Sequence, residues 1–381
     1  MPESGPVPIL FCVSLSPWPV FSYNGFVEPT IAELCSSRFE EAFGMRKQLG
    51  RLLSGAAALA VGTGKLAELS RRTVALSLLA GAGTRWTRSV EAARAAALER
   101  GETPDPALDP GRPRGLYPVR NLLGGSRASL PIAAYALAAT AGLGRRVLVV
   151  RGYEAEFEAE LLRPLGSAGG DWRWATQPEI AGKPRGHGDA ALRALDAWRD
   201  ADYVVANFGG DAASPATAAL GLLCIDALNR AGEDVALVVP AARFERPSYP
   251  IAFGPGGLPR EFGHAKLAGR ELAEGPGWAN VGVRVYRAAD LAAVLVELAD
   301  AHFEEGYGYR VPGNDPEGRE LALDNADAVL AARAKVRVLA AALPTELSPV
   351  KELGDVAAFE AAEESNLRDS AALGFPAPRL G

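Results

Sequence analysis

The stretch Val74-Ala75-Leu76-Ser77-Leu78-Leu79-Ala80-Gly81-Ala82-Gly83-Thr84-Arg85 passes directly from an apolar run into a glycine loop that carries a cation. The uncharged residues Val74 to Leu79 suit a strand covered on both faces, the condition of strands in a parallel sheet. In open parallel sheets ligands sit beyond the carboxyl ends of the strands. Glycines there let backbone N–H groups approach phosphate oxygens, and an arginine can hold two such oxygens at once. Strand, glycine loop and cation in this order predict a triphosphate site.

Beyond this stretch, apolar strands alternate with helices. Strands are expected near Val74 to Leu79, Val147 to Val150, Tyr203 to Asn207, Val235 to Val239 and Val281 to Tyr286. Helices are expected near Leu130 to Ala141, Ala190 to Arg199, Pro215 to Arg230 and Ala289 to Phe303, with a further helix after Asn325 and a short strand around Val336 to Leu339. This rhythm predicts an α/β protein with a Rossmann-like, mostly parallel sheet flanked by helices over residues 73–360. Residues 1–72 read as a partly helical N-terminal extension and 361–381 as a charged tail. Between Arg85 and Arg114, an Ala-rich helix and the Pro-rich run Thr103 to Pro113 form an insertion placed to cover the site. Gly62-Thr63-Gly64-Lys65 invites a P-loop reading, but Leu59 stands where that motif needs its first glycine, so a turn between helices is expected.

The 381 residues, 48% of them hydrophobic, suffice for a sizeable core. With 40 Lys+Arg against 46 Asp+Glu, the net charge of −6 argues against nonspecific binding to nucleic acid or an anionic membrane. Positive charge is nevertheless concentrated after the glycine loop, at Arg85, Arg88, Arg94, Arg100, Arg112, Arg114, Arg120 and Arg127. A phosphate-rich ligand would use such a cluster, although Arg94 and Arg100 read as a solvated helix face. Cys12, Cys35 and Cys224 are few, odd in number and far apart, which suggests neither a disulfide framework nor a metal cluster, and a cytoplasmic location is expected. The apolar start, Val7 to Val27, is broken by prolines and polar residues and lacks a basic flank, so neither a signal peptide nor a membrane span is expected.

The loop Leu79-Ala80-Gly81-Ala82-Gly83-Thr84-Arg85 resembles the signature loop of the sugar-phosphate nucleotidyltransferases, and further segments match in order through nearly all of residues 73–360. Arg112-Pro113-Arg114-Gly115-Leu116 is similar to the family's Pro-Lys-Gly-Leu type segment, with Arg114 where lysine is usual. Gly186-His187-Gly188-Asp189 resembles the segment that places the nucleotide base, and Asn207-Phe208-Gly209-Gly210-Asp211 the strand end whose carboxylate holds magnesium. Asn280-Val281-Gly282 resembles a strand start whose asparagine meets the sugar, with Glu261 preceding it as the sugar-binding acid. Thr345-Glu346-Leu347-Ser348-Pro349-Val350-Lys351 is similar to a stretch of the UDP-sugar pyrophosphorylase branch whose lysine contacts phosphate. Two departures stand out: one residue is missing between Gly81 and Gly83, and Arg114 presents a flat fork in place of an ammonium.

The resemblance implies that a nucleoside triphosphate, UTP in the first instance, is joined to a sugar 1-phosphate with release of pyrophosphate. It gives triphosphate contacts to Leu79, Gly81, Gly83, Thr84, Arg85 and Arg114, base placement to Gly186, His187, Gly188 and Asp189, sugar contacts to Glu261 and Asn280, and phosphate contact to Lys351. Magnesium is the implied cofactor, with Asp211 and Asp324 as ligands and Asp327 as the substitute for Asp324. Read as residues alone, Asp189 suits a helix cap equally well, Asp211 has a cap of the helix near Pro215 as its lesser reading, and Glu261, Asn280 and Asp324 suit solvated surface. The same fold would serve another base or a non-sugar acceptor, as in a cytidylyltransferase, or a catalytically silent binder. The sugar and the oligomeric state stay open.

Overall fold

The structure is a computed structural model that describes residues 22–23, 26–27, 64–79, 83–166, 172–178, 185–244, 250–254, 258–262, 277–312, 314, 319–340, 349–372 and 375–377. In chain order its main elements begin with β1 (Thr73–Leu78), α1 (Thr84–Glu99), α2 (Ala133–Ala139), β2 (Arg145–Val150) and β3 (Trp172–Thr176). Then follow α3 (His187–Arg193), β4 (Tyr203–Phe208), α4 (Pro215–Arg230) and β5 (Leu237–Phe244). The remainder comprises β6 in two halves (Gly277–Asn280 and Val283–Arg287), α5 (Ala288–His302), α6 (Leu323–Ala332), β7 (Val336–Ala340) and α7 (Val356–Ala372).

These strands form one sheet in the order β3-β2-β1-β4-β6-β5-β7. β1 is parallel to β2 and β4, β2 to β3, and β5 to β7, whereas β6 runs antiparallel to β4 and β5. The largely parallel sheet flanked by helices is therefore present. Its two halves of β6 pair one edge of β5 in registers that differ by two residues: Asn280 faces Ala241, but Val285 faces Val238. The extra residues are Val281 and Gly282, the latter at φ 61, and they lie opposite Pro240, which has no N–H to give a ladder.

One face of the sheet packs against α3, α5 and α6, where Val74, Leu76, Val204, Leu237 and Tyr286 meet Ala190, Leu291, Val294, Ala326 and Leu330. The other face meets α4 and the helix over 64–70, with Val205, Val238 and Val285 against Leu222, Ile225 and Leu69. A third cluster joins α1 and α2 to α7 through Trp86, Val90, Leu137, Phe359 and Ala362. Helix α7 runs across residue 360 with Phe359, Ala362, Glu363, Asn366 and Ser370 buried, so the structure around 361–372 is packed helix where the sequence suggests a tail.

Several boundaries move for identifiable reasons. α2 starts at Ala133, later than expected, because Ser129–Pro131 pairs with Pro118–Arg120 in a small antiparallel ribbon. The helix expected from Ala190 to Arg199 begins at His187 and is broken near Ala194, continuing as Leu195–Trp198. β5 extends to Phe244 because β6 and β7 pair along its later residues. Lys65 is buried in the helix over 64–70 and ion-paired with Glu68 at 2.9 Å and Asp226 at 3.5 Å, whereas Gly62 and Thr63 of the expected turn lie outside the described residues. Cys224, buried in α4, is disulfide-bonded, contrary to the expectation from spacing, because distance along the chain does not limit which thiols a fold brings together. Among the described residues no helix is long and apolar enough to cross a membrane.

Candidate functional site

The chain passes from β1 outward to β2 and β3, then returns to place β4 on the other side of β1. The order reverses between β1 and β4, and in open α/β sheets the crevice beyond the carboxyl ends at such a reversal is where ligands bind. Two loops leave the sheet there: the glycine loop that ends in α1, and Gly209-Gly210-Asp211. Gly209 donates its N–H to the Leu78 carbonyl at 3.2 Å, which ties the second loop to the first strand.

Arg114 reaches this crevice from the short helical turn Arg114–Leu116. Its Nη1 donates to the Val350 carbonyl at 2.5 Å, and its guanidinium lies over Gly210. The Val350 N–H in turn donates to the Gly210 carbonyl at 2.8 Å. Lys351 follows, with its Nζ 3.8 Å from the Asp211 carboxylate, a loose ion pair. Asp211 itself sits against the break in β6: a Cβ on Gly282 would lie 3.2 Å from the Asp211 Cβ. Segments spread over more than 200 residues of chain thus place one carboxylate and two cations around a single loop. Asp211 caps nothing; the N-cap of α4 is Ser214, whose Oγ accepts from the Thr217 N–H at 3.2 Å.

In the glycine loop, Gly81 and the neighbouring Ala80 and Ala82 lie outside the described residues, as does the side chain of Thr84. Gly83 adopts a left-handed conformation and leads into α1, Arg85 is exposed, and Leu79 is buried against Gly209. The other arginines of this region do not converge on the crevice as one cluster. Arg100 pairs with Glu102, Arg112 with Glu160 and Arg120 with Glu364, while Arg94 donates to the Leu108 carbonyl. The insertion is held down by Arg112 and by the Tyr153 hydroxyl, which donates to the Gly111 carbonyl at 2.6 Å.

The Gly186 to Asp189 segment has a clear packing role. Gly188 donates to the Leu321 carbonyl at 2.8 Å, and Leu321 donates to the Arg185 carbonyl at 2.8 Å. A Cβ on Gly186 would meet the Leu321 carbonyl oxygen at 2.5 Å, and one on Gly188 would meet the Ala322 backbone at 2.9 Å. Asp189 is fully buried, accepting from Tyr309 Oη at 2.7 Å, Gln177 Nε2 at 3.0 Å and Arg193 Nη2 at 3.0 Å. Burial and the Asp189 hydrogen bond raise the Tyr309 hydroxyl's pKa. His187 accepts the Leu323 N–H on Nδ1 at 2.8 Å and turns Nε2 toward Asp324 at 3.5 Å, so both ring nitrogens face protein groups.

Asp324 opens α6 as expected, but it is buried and held by Arg284 Nη2 at 2.6 Å. Arg284 projects from β6 just past the strand break, stacks 5.4 Å from the Phe208 ring centre, and also meets Asp327 at 3.1 Å. Asp327 accepts from the Tyr286 hydroxyl at 2.7 Å. Burial pushes the Asp327 carboxyl up to about 7 against the pull of Arg284. Burial opposes the Arg284 charge, but its two carboxylate partners more than offset this and raise its pKa. Glu261 lies on a hairpin (Ile251–Phe253 with Pro259–Phe262) opposite Ala252, and Asn280 is buried at the end of the first half of β6. That hairpin reaches β6 through a bridge between Pro250 and Ala279.

Among the described residues no three His, Cys, Asp or Glu side chains gather as a metal cage. Magnesium keeps several waters and needs only one or two carboxylates, so Asp211, partly exposed at 13% and only loosely paired, fits as its ligand. Asp324 does not fit as the second, because Arg284 already holds its carboxylate in a buried pair. Arg284, Gln177 and Glu363 are structural participants that the sequence reading misses, since nothing local marks an arginine or glutamate whose partners lie far along the chain. Comparison with models of known protein families gives no match, and comparison with curated proteins gives none.

Proposed function

We propose that the chain is a nucleotidyltransferase that joins a nucleoside triphosphate, UTP first among them, to a sugar 1-phosphate and releases pyrophosphate. The observation that supports this reading best is the convergence of Arg114, Lys351 and Asp211 at the reversal point of the sheet. A sugar-phosphate oxygen would attack the α-phosphorus in line, forming one P–O bond while the bond to pyrophosphate breaks. The attacking oxygen is already anionic, so no general base is required, which agrees with a His187 whose nitrogens are both turned to protein.

What the protein must then supply is alignment and neutralisation of accumulating charge. Arg114 and Lys351 approach the crevice with fixed positive charge, and the amino end of α1 adds backbone N–H groups directed at an anion. Asp211 would hold a magnesium ion, which would supply further positive charge against the phosphates. Asp211 and Lys351 stand side by side at the crevice, 3.8 Å apart. Asp324 falls to a supporting role, because Arg284 and His187 occupy its surroundings.

A second reading, binding without turnover, is favoured by one fact: only Asp211 of the two expected magnesium ligands is available to a metal. Pyrophosphate release decides between them, measured with magnesium across the common nucleoside triphosphates and a panel of sugar 1-phosphates, with Asp211→Asn as the blank. Release with one pair that disappears in the blank supports the transferase. Nucleotide binding without release from any pair establishes the silent binder.

A further inference from the structure

We infer that Glu363, on the C-terminal helix, is a positioning residue that fixes the loop carrying Asp211. Glu363 is 1% exposed, yet it is a carboxylate. Its Oε1 accepts the Ala213 N–H at 3.0 Å, two residues past Asp211 and just ahead of α4. Burial of a carboxylate is costly unless it is compensated. Here the 16-residue helix α4 turns its amino end, with its partial positive charge, toward that carboxylate.

Helix α7 grips the loop again about two turns later. The Ser370 hydroxyl lies 2.9 Å from the Ser214 hydroxyl and accepts the Ala216 N–H at 3.3 Å. At the other end of the loop, the Val350 N–H holds the Gly210 carbonyl at 2.8 Å. The chain between these grips is itself pinned: the Asp355 carboxylate accepts the N–H groups of Lys351 at 2.7 Å and Glu352 at 2.9 Å. Residues 350–370 therefore hold Gly210 to Ser214 from both ends, and the strap that carries Lys351 also sets where Asp211 stands. A tail with no part in the site would need none of these buried polar contacts.

The role of Asp211 in this inference rests on the proposed transferase reading, but the grip itself does not, so the test separates the two. Amide hydrogen exchange is measured on the full chain for wild type, Glu363→Ala and Glu363→Gln. Removing one charge-assisted bond should speed exchange at Asp211 to Ala213 by about tenfold or more in Glu363→Ala, while the sheet strands stay protected. Glu363→Gln keeps an acceptor oxygen and should restore protection to near the wild-type level. Unchanged exchange in Glu363→Ala overturns the inference, as does faster exchange spread over the whole sheet, which would make Glu363 a general support of the fold. If the wild type releases pyrophosphate, Glu363→Ala should lower kcat more than the nucleotide KM. If it releases none, the transferase reading fails while the exchange result still decides the grip.

Discussion

The guanidinium of Arg114 occupies the space that any side chain on Gly210 would need: a Cβ there would come within 2.5 Å of Arg114 Cζ. Gly210 is thus the floor on which the arginine lies, and the glycine's value is in what it leaves out. Gly210→Ala is expected to displace Arg114 from the crevice and to lower pyrophosphate release by about a hundredfold, the cost of one lost charge-stabilising donor. The slimmer lysine tail should tolerate that methyl better. In a double-mutant cycle, Gly210→Ala should therefore cost much less in an Arg114→Lys background than in the wild type. Equal costs in both backgrounds would show that the two residues do not act together.

Gly186 and Gly188 are expected to matter for stability before they matter for ligand. A methyl group at Gly186 would meet the Leu321 carbonyl, and φ there is +89, a region that L side chains rarely adopt. Gly186→Ala should destabilise the protein by about 1–3 kcal/mol through strain and overpacking. Chemical denaturation would measure this. A variant with wild-type stability but weakened nucleotide binding would return these glycines to the base-placing role that the resemblance implies.

Asp327 gives stability a pH dependence with a definite sign. Its folded pKa of about 7 lies above its ordinary value of 3.8, so the folded state holds a proton that the unfolded state releases across that interval. This contribution is complete below the unfolded value and is lost as pH rises toward and through 7. Asp327→Asn cannot titrate, and its urea midpoint should fall less between pH 5 and pH 8 than that of the wild type. A steeper fall in the variant would contradict the assignment.

How far the chain is legible from sequence depends on whether a signal is local. α4 matches its expectation from Pro215 to Arg230, because Ser214-Pro215 is a start signal written in adjacent residues. β1 matches to within one residue, because burial on both faces leaves an unbroken apolar run. α7 escapes notice for the opposite reason. Its buried face includes the polar Asn366 and also Glu363 and Ser370, which serve a backbone N–H and a hydroxyl near the start of α4, so no hydrophobic period announces it. The cation cluster after the glycine loop misleads in the same way, since Arg112 and Arg120 find Glu160 and Glu364 only in the folded chain.

Asp211 and Asp324 look alike in the sequence as magnesium ligands, and the fold sets them apart. Asp324 is buried against Arg284 at 2.6 Å with His187 beside it, whereas Asp211 is partly exposed and 3.8 Å from Lys351. Asp324→Asn removes a charge-assisted bond but leaves Arg284 beside Asp327 at 3.1 Å, so it should cost about 2 kcal/mol of stability. Turnover per folded molecule should stay close to that of the wild type. Asp211→Asn should do the reverse, leaving the denaturation midpoint almost unmoved, because a loose and partly exposed pair contributes little, while abolishing release of pyrophosphate. Denaturation midpoints and release rates, measured on both variants at equal concentrations of folded protein, check all four outcomes. Loss of turnover in Asp324→Asn at full stability would instead make that carboxylate part of the reacting site, and the Arg284 pair a resting arrangement that a ligand must break.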